Sequence, residues 1–295
     1  MYDIQHYYEA KSVEDAIRLR VEHPEAVIIS GGSDILISIR SGDLAGCSLI
    51  SIHGLDTLRG VSLDPDDTLR IGALTSFSHL MKDPLILEHI PVLAEAAGKV
   101  GGPQIRNIGT VGGNVCNGVT SADTASTLLA FDAEAELQGQ KGKRRVPLTA
   151  FYKGPRRVDI EKDEIMTALL ISSKAYKDYA GCYIKYAKRA AMDIATSGCS
   201  VNVKLTPGKD AIEYARVAFG VSGPVPIRIS SAEEAVQGKP LTEETIELFA
   251  EHVRAGINPR TSWRASRDFR IQIQLEMARR CLRRSIERAG GEIVG

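Results

Sequence analysis

Apolar residues near the start of the chain recur every three to four positions and then give way to short β-branched runs. Residues 11–21 have this helical spacing, with Ser12 placed as an N-cap and Asp15 three residues later. Pro24 ends the predicted helix. The run at 26–29 is apolar, short and followed by two glycines, which predicts a buried strand that ends in a sharp turn.

The same two signals predict the remaining elements up to residue 95. They are a helix at 35–40 capped by Ser33 or Asp34, strands at 47–52 and 68–72, and helical segments between 76 and 95 split by Pro84 and Pro91. The strands at 26–29 and 47–52 enclose a helix, which is the order of a β-α-β unit.

The rest of the chain predicts a small-residue helix, a hairpin and then a second group of elements. These are the helix at 124–131, the hairpin over 133–146, strands at 164–172, 181–187, 195–205 and 213–221, and helices from 241 and over 266–289. The polar connector at 174–180 places a domain boundary between 1–176 and 177–295. The sequence therefore predicts an α/β region followed by a smaller α+β domain with a three-stranded sheet and helices.

Length and charge limit the classes of function that this chain can have. With 295 residues, 37 basic and 37 acidic side chains and a net charge of zero, the chain has no overall attraction for nucleic acid or an anionic membrane. We expect a cytoplasmic protein, because the sequence lacks a membrane-span-length apolar run and its first residues do not resemble a secretion signal.

Cysteine and histidine are not clustered. Five cysteines and six histidines are spread singly, which argues against a disulfide framework, a zinc site or an iron–sulfur cluster held by this chain alone. We therefore expect no metal site and no nucleophile or acid–base pair typical of hydrolytic catalysis.

A glycine-rich stretch is the strongest functional signal. Seven of the 21 residues from Gly98 to Gly118 are glycine, and core-type residues interrupt them, which is unlike a flexible linker. A second glycine pair, Gly31 and Gly32, follows the strand at 26–29. Each pair is able to form a nest of backbone donors, so two nests from separate segments could hold both halves of a pyrophosphate. The chain contains no Gly-x-Gly, which excludes the usual Rossmann fingerprint.

Two basic segments are candidate binding surfaces. Residues 141–157 hold seven basic side chains and no acidic one, which fits either a solvated hairpin or a docking surface for an acidic partner or charged cosubstrate. The arginines at 279–288 lie at a predicted helix C-terminus, where cations suit the helix dipole, so we interpret them as a solvated helix end.

Motifs along most of the chain resemble the FAD subunit of molybdenum-containing hydroxylases, above all that of bacterial three-subunit xanthine dehydrogenases. The resembling segments are 30–34, 104–114, 117–123, 153–155, 163–165, 185–194, 219–228 and 262–266. The resemblance implies an FAD-binding domain of the vanillyl-alcohol-oxidase (PCMH) type in two subdomains over 1–176. It also implies a C-terminal flavoprotein domain over 177–295.

The resemblance also implies site residues for non-covalent FAD. Those around the pyrophosphate are Ile28, Ile29, Ser30, Gly31, Gly32, Ser33, Asp34, Ile35, Thr110, Val111, Gly112, Gly113 and Asn114, acting through backbone amides and the Ser33 and Thr110 hydroxyls. Those around the rest of the cofactor are Asn117 and Asp123 at the ribityl or ribose part, Val100 and Met166 flanking a ring, and Lys185 near the pyrimidine edge.

Two of these positions have an alternative interpretation from the residues alone. Asp123 is also a possible N-cap, and Lys185 is also a possible exposed strand residue. At a third position, Val100, some relatives have an aromatic ring, so stacking on the cofactor would be weaker there.

Three further residues of the resembling segments have roles that stay open. Arg106 could bind carbonyls or phosphate. Arg189 and Asp193 lie on a polar turn that either is structural or influences NAD access.

The implied partners are a [2Fe-2S] small subunit and a molybdopterin-binding large subunit in a hetero-oligomer. Electrons released by hydroxylation of a purine-like substrate at the molybdenum cofactor would pass through the [2Fe-2S] centres and FAD to NAD+. Two rival interpretations are a self-sufficient FAD-dependent oxidase or reductase of the same flavin fold, and a non-catalytic nucleotide-binding assembly subunit.

Overall fold

The computed structural model describes residues 2–294. Its strands are β1 Ile4–Glu9, β2 Val27–Ile29, β3 Cys47–Ser51, β4 Val61–Leu63, β5 Leu69–Gly72, β6 Glu134–Gly139, β7 Gly142–Pro147, β8 Tyr152–Gly154, β9 Arg157–Val158, β10 Ile165–Ile171, β11 Ala180–Tyr186, β12 Ser197–Leu205, β13 Ile212–Gly220 and β14 Ile227–Arg228.

The helices of the same residues are mostly short before residue 240. They are α1 Val13–Glu22, α2 Ile35–Ser41, α3 Phe77–Leu80, α4 Pro84–His89, α5 Pro91–Gly98, α6 Pro103–Ile108, α7 Val111–Cys116, α8 Asp123–Ala130, α9 Leu148–Phe151, α10 Ser173–Tyr176, α11 Ser230–Val236, α12 Glu243–Gly256 and α13 Arg267–Arg288. None of the helices within 2–294 is both long and apolar enough to cross a membrane.

The first sheet is parallel and has the order β1-β3-β2. The helix α1 connects its first two strands and begins where predicted, because the Ser12 hydroxyl accepts a hydrogen bond from the Asp15 amide. The helix α2 connects β2 to β3, so the predicted β-α-β unit is present. Ser33 and Asp34 give no side-chain cap to α2: Asp34 occupies the N-cap position, but its carboxylate accepts no capping hydrogen bond.

The second sheet has the order β4-β5-β10-β6-β7. All seven residues of its central strand, β10, are buried, since α1 and α7 contact this strand and the main apolar cluster surrounds it. A strand covered on both faces has a continuous apolar sequence, and this is why the segment was recognisable as a strand.

The third sheet has the order β11-β12-β13-β14. Its apolar cluster lies against α11, α12 and α13, while α5 and α8 pack against the sheet from the N-terminal part of the chain. We predicted three strands here; the fourth, β14, is two residues long and pairs with Ala218 and Phe219. A strand so short has too few positions for an alternating pattern to be recognised.

Other elements were missed for identifiable reasons. Five of the six positions of β1 are polar or aromatic and four are exposed, so no apolar alternation marks it. The helices α6 and α7 lie inside the glycine-rich stretch, where helix propensity is poor and tertiary contacts stabilise the helical turns instead.

Candidate functional site

A cavity of about 540 Å³ lies between the first sheet, the glycine-rich segments and β10. Such a volume suits a cofactor-sized ligand. Fourteen of the predicted site residues line it, namely Ile28, Ser30, Gly31, Gly32, Ser33, Asp34, Ile35, Val100, Thr110, Gly112, Gly113, Asn114, Asn117 and Met166. The cavity therefore joins segments that are up to 138 residues apart in the chain, from Ile28 to Met166.

The first glycine segment presents free backbone donors to this cavity. Within residues 2–294, the amides of five consecutive residues, Gly31 to Ile35, donate to no acceptor in the chain. Gly32 has a φ of +73°, a left-handed conformation that favours glycine. Successive unpaired amides at a turn form a concave donor surface that suits an anion.

The second glycine segment is different from the prediction, because its amides are already bonded. The amide of Val111 donates to the Thr75 carbonyl, that of Gly112 to Ala73, and those of Gly113 and Asn114 to the hydroxyl and carbonyl of Thr110. Instead of forming a second nest of free donors, the segment forms the first turn of α7 with Thr110 as its N-cap.

The two segments support each other directly. The hydroxyls of Ser30 and Thr110 are 3.1 Å apart and share a hydrogen bond. Gly31 lies so close to the Ile108 carbonyl that a Cβ would collide with it. The second segment thus fixes the position of the first through side-chain and backbone contacts, and the free donors belong to Gly31–Ile35.

Another part of the cavity lining is apolar. Val100, Phe77 and Ile105 line it together with Met166, whose thioether sulfur lies 3.8 Å from the Cys116 thiol. Burial raises the pKa of Cys116 to about 12, so this thiol stays protonated and behaves as an apolar wall residue. An anion cradle and an apolar wall within one cavity suit a ligand with a phosphate part and a flat ring part.

Four predicted site residues do not line the cavity. Ile29 and Val111 are buried in the apolar clusters beside it. Lys185 and Asp123 form an ion pair of 2.7 Å with each other, and both side chains are at least nine-tenths buried. Tyr183 donates to the second carboxylate oxygen of Asp123 at 2.9 Å, and Lys185 also donates to the Lys99 carbonyl at 3.0 Å.

The Lys185 pair is held beside the cavity wall, since Lys99 precedes Val100. Burial raises the pKa of Asp123, and the charge of Lys185 opposes that rise. Lys185 is therefore neither exposed nor an isolated cation: its charge is balanced by Asp123.

Two models of known protein families match this chain. The family model described as the FAD binding domain in molybdopterin dehydrogenase matches residues 2–172, and the CO dehydrogenase flavoprotein C-terminal domain matches 182–285. The chain belongs to the FAD-binding subunits of molybdenum hydroxylases.

Individual relatives agree with this family. The chain is 39% identical to the xanthine dehydrogenase FAD-binding subunit of Escherichia coli O157:H7 over 293 residues, which is 99% of this chain and 100% of the relative. It is 33% identical to the nicotinate dehydrogenase FAD-subunit of Eubacterium barkeri over 82% of each chain. The carbon monoxide dehydrogenase structure from Hydrogenophaga pseudoflava superposes with a TM-score of 0.92, at 28% identity, over 98% of this chain and 99% of that one.

The fold class and the recognised family are thus confirmed for this FAD-binding subunit. The cavity residues also fit the cofactor. FAD carries a pyrophosphate that needs donors and a tricyclic ring that needs an apolar wall, and the free amides of Gly31–Ile35 and the residues around Met166 offer one of each. No acid–base pair is needed beside it, since the flavin supplies the redox chemistry when bound.

The roles left open for Arg106, Arg189 and Asp193 in this FAD-binding subunit are explained by their contacts. Arg106 donates to the carbonyls of Val100 and Gly101 at 3.0 and 3.3 Å, so it anchors the loop. The Asp193 carboxylate accepts from the Arg189 amide at 3.1 Å, which closes the turn. Both are structural contacts within the chain.

Two cavity-lining arginines of this FAD-binding subunit were missed. Arg20 donates to the Lys162 carbonyl at 2.7 Å, and burial lowers its pKa. Arg156 has a φ of +57°, and its amide donates to Gly118. The basic run at 141–157 was the available signal for Arg156, whereas nothing in α1 distinguishes Arg20 from a surface residue.

Half of the other six basic residues of that run pair with carboxylates. Arg144 pairs with Glu164 at 2.6 Å, Lys143 with Glu136 at 3.3 Å and Lys153 with Asp159 at 3.4 Å. The hairpin is therefore only in part a free cationic surface.

Four of the five arginines between 279 and 288 are also paired. They are Arg279 with Glu247, Arg280 with Glu276, Arg283 with Glu243 and Arg288 with Glu95.

Proposed function

We propose that this FAD-binding subunit passes electrons from a [2Fe-2S] partner subunit through FAD to NAD+. The complex would be a xanthine dehydrogenase-like hydroxylase whose large subunit holds the molybdenum cofactor and oxidises a purine-like substrate. Near-complete coverage of the Escherichia coli xanthine dehydrogenase subunit supports this choice of complex. The cavity that combines five free amides with an apolar wall is the observation that carries the cofactor assignment.

Within this proposal, the chain's residues bind and orient the cofactor. The amides of Gly31–Ile35 donate to the pyrophosphate, and the Ser33 hydroxyl adds a donor. Val111 to Asn114 act mainly by holding that segment in place, since their own amides have acceptors. Thr110 contributes through its hydroxyl, which bonds that of Ser30. Asn117 lines the cavity near the pyrophosphate segments and is the candidate for the ribityl or ribose part.

Lys185 and Asp123 act as a positioning pair in this proposal. Because the ion pair ties β11 to the start of α8 and to the Lys99 carbonyl, it fixes the wall that contains Val100. A salt-bridged lysine stabilises reduced flavin less than an unpaired one would, since the carboxylate offsets its charge.

We also propose that the domain boundary lies between residues 176 and 177. This point is the C-terminal end of α10, which follows the last strand of the second sheet and precedes the first strand of the third. Asn202 donates to the Ala130 carbonyl across this division at 3.0 Å, so the two parts are expected to be packed rather than separated.

The experiment that tests the function starts from the purified full chain supplied with FAD. We expect stoichiometric FAD after gel filtration, and anaerobic stopped-flow mixing with NADH should bleach the flavin absorption within a single exponential phase. Failure of a folded chain to retain FAD would overturn the cofactor site. Bound FAD that NADH does not reduce, although the iron–sulfur subunit does, would overturn NAD+ as the acceptor.

The same samples separate the rival functions. A self-sufficient oxidase would show flavin reduction by an organic substrate without partner subunits. An assembly subunit would bind FAD that neither NADH nor the reduced iron–sulfur subunit can reduce.

A further inference from the structure

Five cations gather at the start of α13, and none of them pairs with a carboxylate anywhere in residues 2–294. They are Lys188, Arg260, Arg264, Arg267 and Arg270. In the second half of the same helix, by contrast, four of the five arginines pair with a carboxylate, namely Arg279, Arg280, Arg283 and Arg288. A chain of zero net charge thus has a local positive surface that its own acids do not neutralise.

An exposed tryptophan lies at the centre of these cations. Trp263 is 77% exposed, with the Lys188 ammonium 5.2 Å and the Arg264 guanidinium 4.3 Å from its ring centroid. Tyr186 and Phe269 are also exposed and meet edge to face at 5.9 Å. We call Tyr186, Lys188, Trp263, Arg264 and Phe269 the Trp263 patch.

Two guanidinium groups, that of the patch residue Arg264 and that of its buried neighbour Arg270, lack full hydrogen bonding. Arg270 is 2% exposed; it donates to the Thr196 carbonyl and, at 2.8 Å, to the Ser262 hydroxyl, but its Nε has no acceptor. The Nε of Arg264 is likewise buried and without an acceptor. Burial lowers the pKa of Arg270, and the charges of Arg260 and Arg264 lower it further.

This arrangement is unfavourable in the isolated chain. Buried donors without acceptors and like charges close together both cost free energy. An anion bound at the exposed cations reduces the repulsion between these charges. Arginine and tryptophan are also the residues that most often dominate the affinity of protein interfaces.

The Trp263 patch is connected to the FAD cavity by a continuous segment. Lys185 at the end of β11 belongs to the pair beside the cavity wall, and Tyr186 and Lys188 follow it in the patch. The segment then reaches Met192, whose side chain lies against Gly102, two residues after Val100 of the cavity. A protein bound at the patch would therefore lie next to the cavity rim.

We propose that the Trp263 patch is the docking surface for an acidic face of the iron–sulfur partner subunit. Carboxylates of the partner pair with Lys188, Arg264 and their unpaired neighbours, and the Trp263 indole enters a pocket between them. This inference rests on the proposed function, because it requires a redox partner that must approach the cofactor. A nucleotide base is a poorer occupant, since Lys188 and Arg264 already lie over the indole where a base would stack.

Trp263 allows a direct test, since it is the only tryptophan in the chain. The full chain is labelled with 5-fluorotryptophan, loaded with FAD, and mixed with the unlabelled iron–sulfur and molybdopterin subunits. We expect the chemical shift of its single 19F resonance to change as the complex forms, beyond the line broadening that slower tumbling alone produces, and to stay unchanged when NADH or AMP is added. A complex that forms with broadening but no change of chemical shift, or a shift caused by NADH, would overturn the proposal. Concentration-dependent shifts of the labelled chain alone would also overturn it, in favour of self-association.

Variants measure how much the patch contributes. Trp263→Ala should weaken the complex about thirtyfold or more, as expected for an interface hot spot. The double variant Lys188→Glu with Arg264→Glu should weaken it further and abolish its sensitivity to salt, because the attractive charges are reversed. The double variant Lys174→Glu with Lys239→Glu reverses two exposed cations outside the patch and makes the same change of net charge, so it is the matched control and should leave affinity unchanged.

FAD content and reduction by NADH are measured on every variant. Variants that keep both properties but lose the partner support the patch independently of the flavin chemistry. Retention of full affinity by the folded double variant would contradict the proposal even if the proposed function holds. Loss of FAD in the unmodified chain would instead count against the proposed function.

Discussion

The glycines of the two FAD-site segments are needed for different structural reasons, which the sequence alone does not distinguish. Gly31 has no room for a Cβ, because the Ile108 carbonyl occupies that space. Gly113 faces only the hydroxyls of Thr110 and Ser30, at 2.9 and 3.2 Å from where a Cβ would be. Gly31 is therefore fixed by backbone contact between the segments, whereas Gly113 is limited by two small polar side chains.

Substitution of Gly31 by alanine should separate the two segments. The collision with the Ile108 carbonyl cannot be relieved by a side-chain rotation, so we expect a loss of about 1 to 3 kcal/mol in unfolding free energy. We also expect FAD affinity to fall at least about tenfold, since the free amides move. Gly54→Ala is the control, because its nearest neighbour is a Glu9 oxygen at 3.7 Å. Urea unfolding and FAD titration measure the two effects, and equal behaviour of both variants would contradict the contact.

The Lys185–Asp123 pair illustrates a residue whose environment reverses its expected role. A lysine after an alternating strand sequence is usually exposed, yet this one has a side chain that is 7% exposed. Only the chain fold brings Asp123, 62 residues earlier, within reach.

Lys185→Met should leave the Asp123 carboxylate buried without its cation. We expect a loss of about 3 kcal/mol in unfolding free energy, because removal of one member of a buried pair is strongly destabilising. The double variant Asp123→Asn with Lys185→Met should recover part of that loss. Denaturant unfolding of the single and double variants measures the coupling; simple addition of the two single effects would show that the pair does not act as a unit.

Among the secondary structure elements, α2 and α7 show why similar glycine pairs differ in function. The amides at the start of α7 find the carbonyls of Ala73 and Thr75, because the chain after β5 runs alongside them. The turn before α2 lies against the Ile108 carbonyl at Gly31, but the amides of Gly31 to Ile35 donate to no acceptor within residues 2–294 and stay free. Whether such a turn can bind an anion therefore depends on whether nearby carbonyls already accept its amide hydrogen bonds. The packing of the chain decides which carbonyls are nearby.

The second sheet is tied together by a buried carboxylate. Glu136 of β6 accepts two hydrogen bonds of 2.9 Å from Arg70 of β5 and one of 2.7 Å from Thr167 of β10. The hydrogen bonds from Arg70, opposed in part by burial, lower the pKa of Glu136 from 4.5 to about 2. A carboxyl with a lowered folded-state pKa stabilises the fold above its unfolded pKa, and this contribution is lost as pH falls.

Glu136→Gln should therefore make the free energy of unfolding less dependent on pH below about pH 4.5. The unmodified protein loses this contribution between about pH 4.5 and about pH 2, on the order of 2 kcal/mol after allowance for solvent screening. The variant should be less stable at neutral pH but lose less over that interval. Chemical unfolding at a series of pH values gives both curves, with the exposed Glu234→Gln as control. Parallel curves for Glu136→Gln and the unmodified protein would contradict this linkage.

At the scale of the whole molecule, α8 joins the N-terminal and C-terminal parts. All eight of its residues are buried, and it contacts both β12 and β13 as well as α5 and α7. The Arg288 side chain adds a second connection, because it donates to the Gly181 carbonyl at 2.6 Å and pairs with Glu95 of α5 at 2.8 Å. These contacts indicate that neither part is stable alone.

Hydrogen exchange should show this coupling. We expect the slowest amides of β10 and β12 to exchange with the same free energy, equal to that of global unfolding, since α8 cannot leave one part without exposing the other. Mass spectrometry of peptides that contain each strand measures both values under denaturant. A β12 that opens at clearly lower denaturant concentration than β10 would show two independent units.

Most elements could be predicted from local signals. Ser12 caps α1 at the expected position, and Thr242 and Ser266 cap α12 and α13 in the same way, since capping depends on a side chain and the amides two or three residues later. The apolar run of β10 and the glycine pairs carry their information within a few residues. The family, its fold and FAD as the cofactor were implied by the resemblance of the motifs, not by these local features.

The distribution of free donors and charges required long-range contacts. Local sequence cannot show that Val111 and Gly112 donate to Thr75 and Ala73, or that Lys185 meets Asp123, because distant segments supply the partners. The unpaired cations around Trp263 are another case, since a charge is unpaired only when no segment of the fold brings a carboxylate to it. Periodicity and capping act over one or two turns of chain, whereas hydrogen-bond and charge satisfaction depends on which segments pack together.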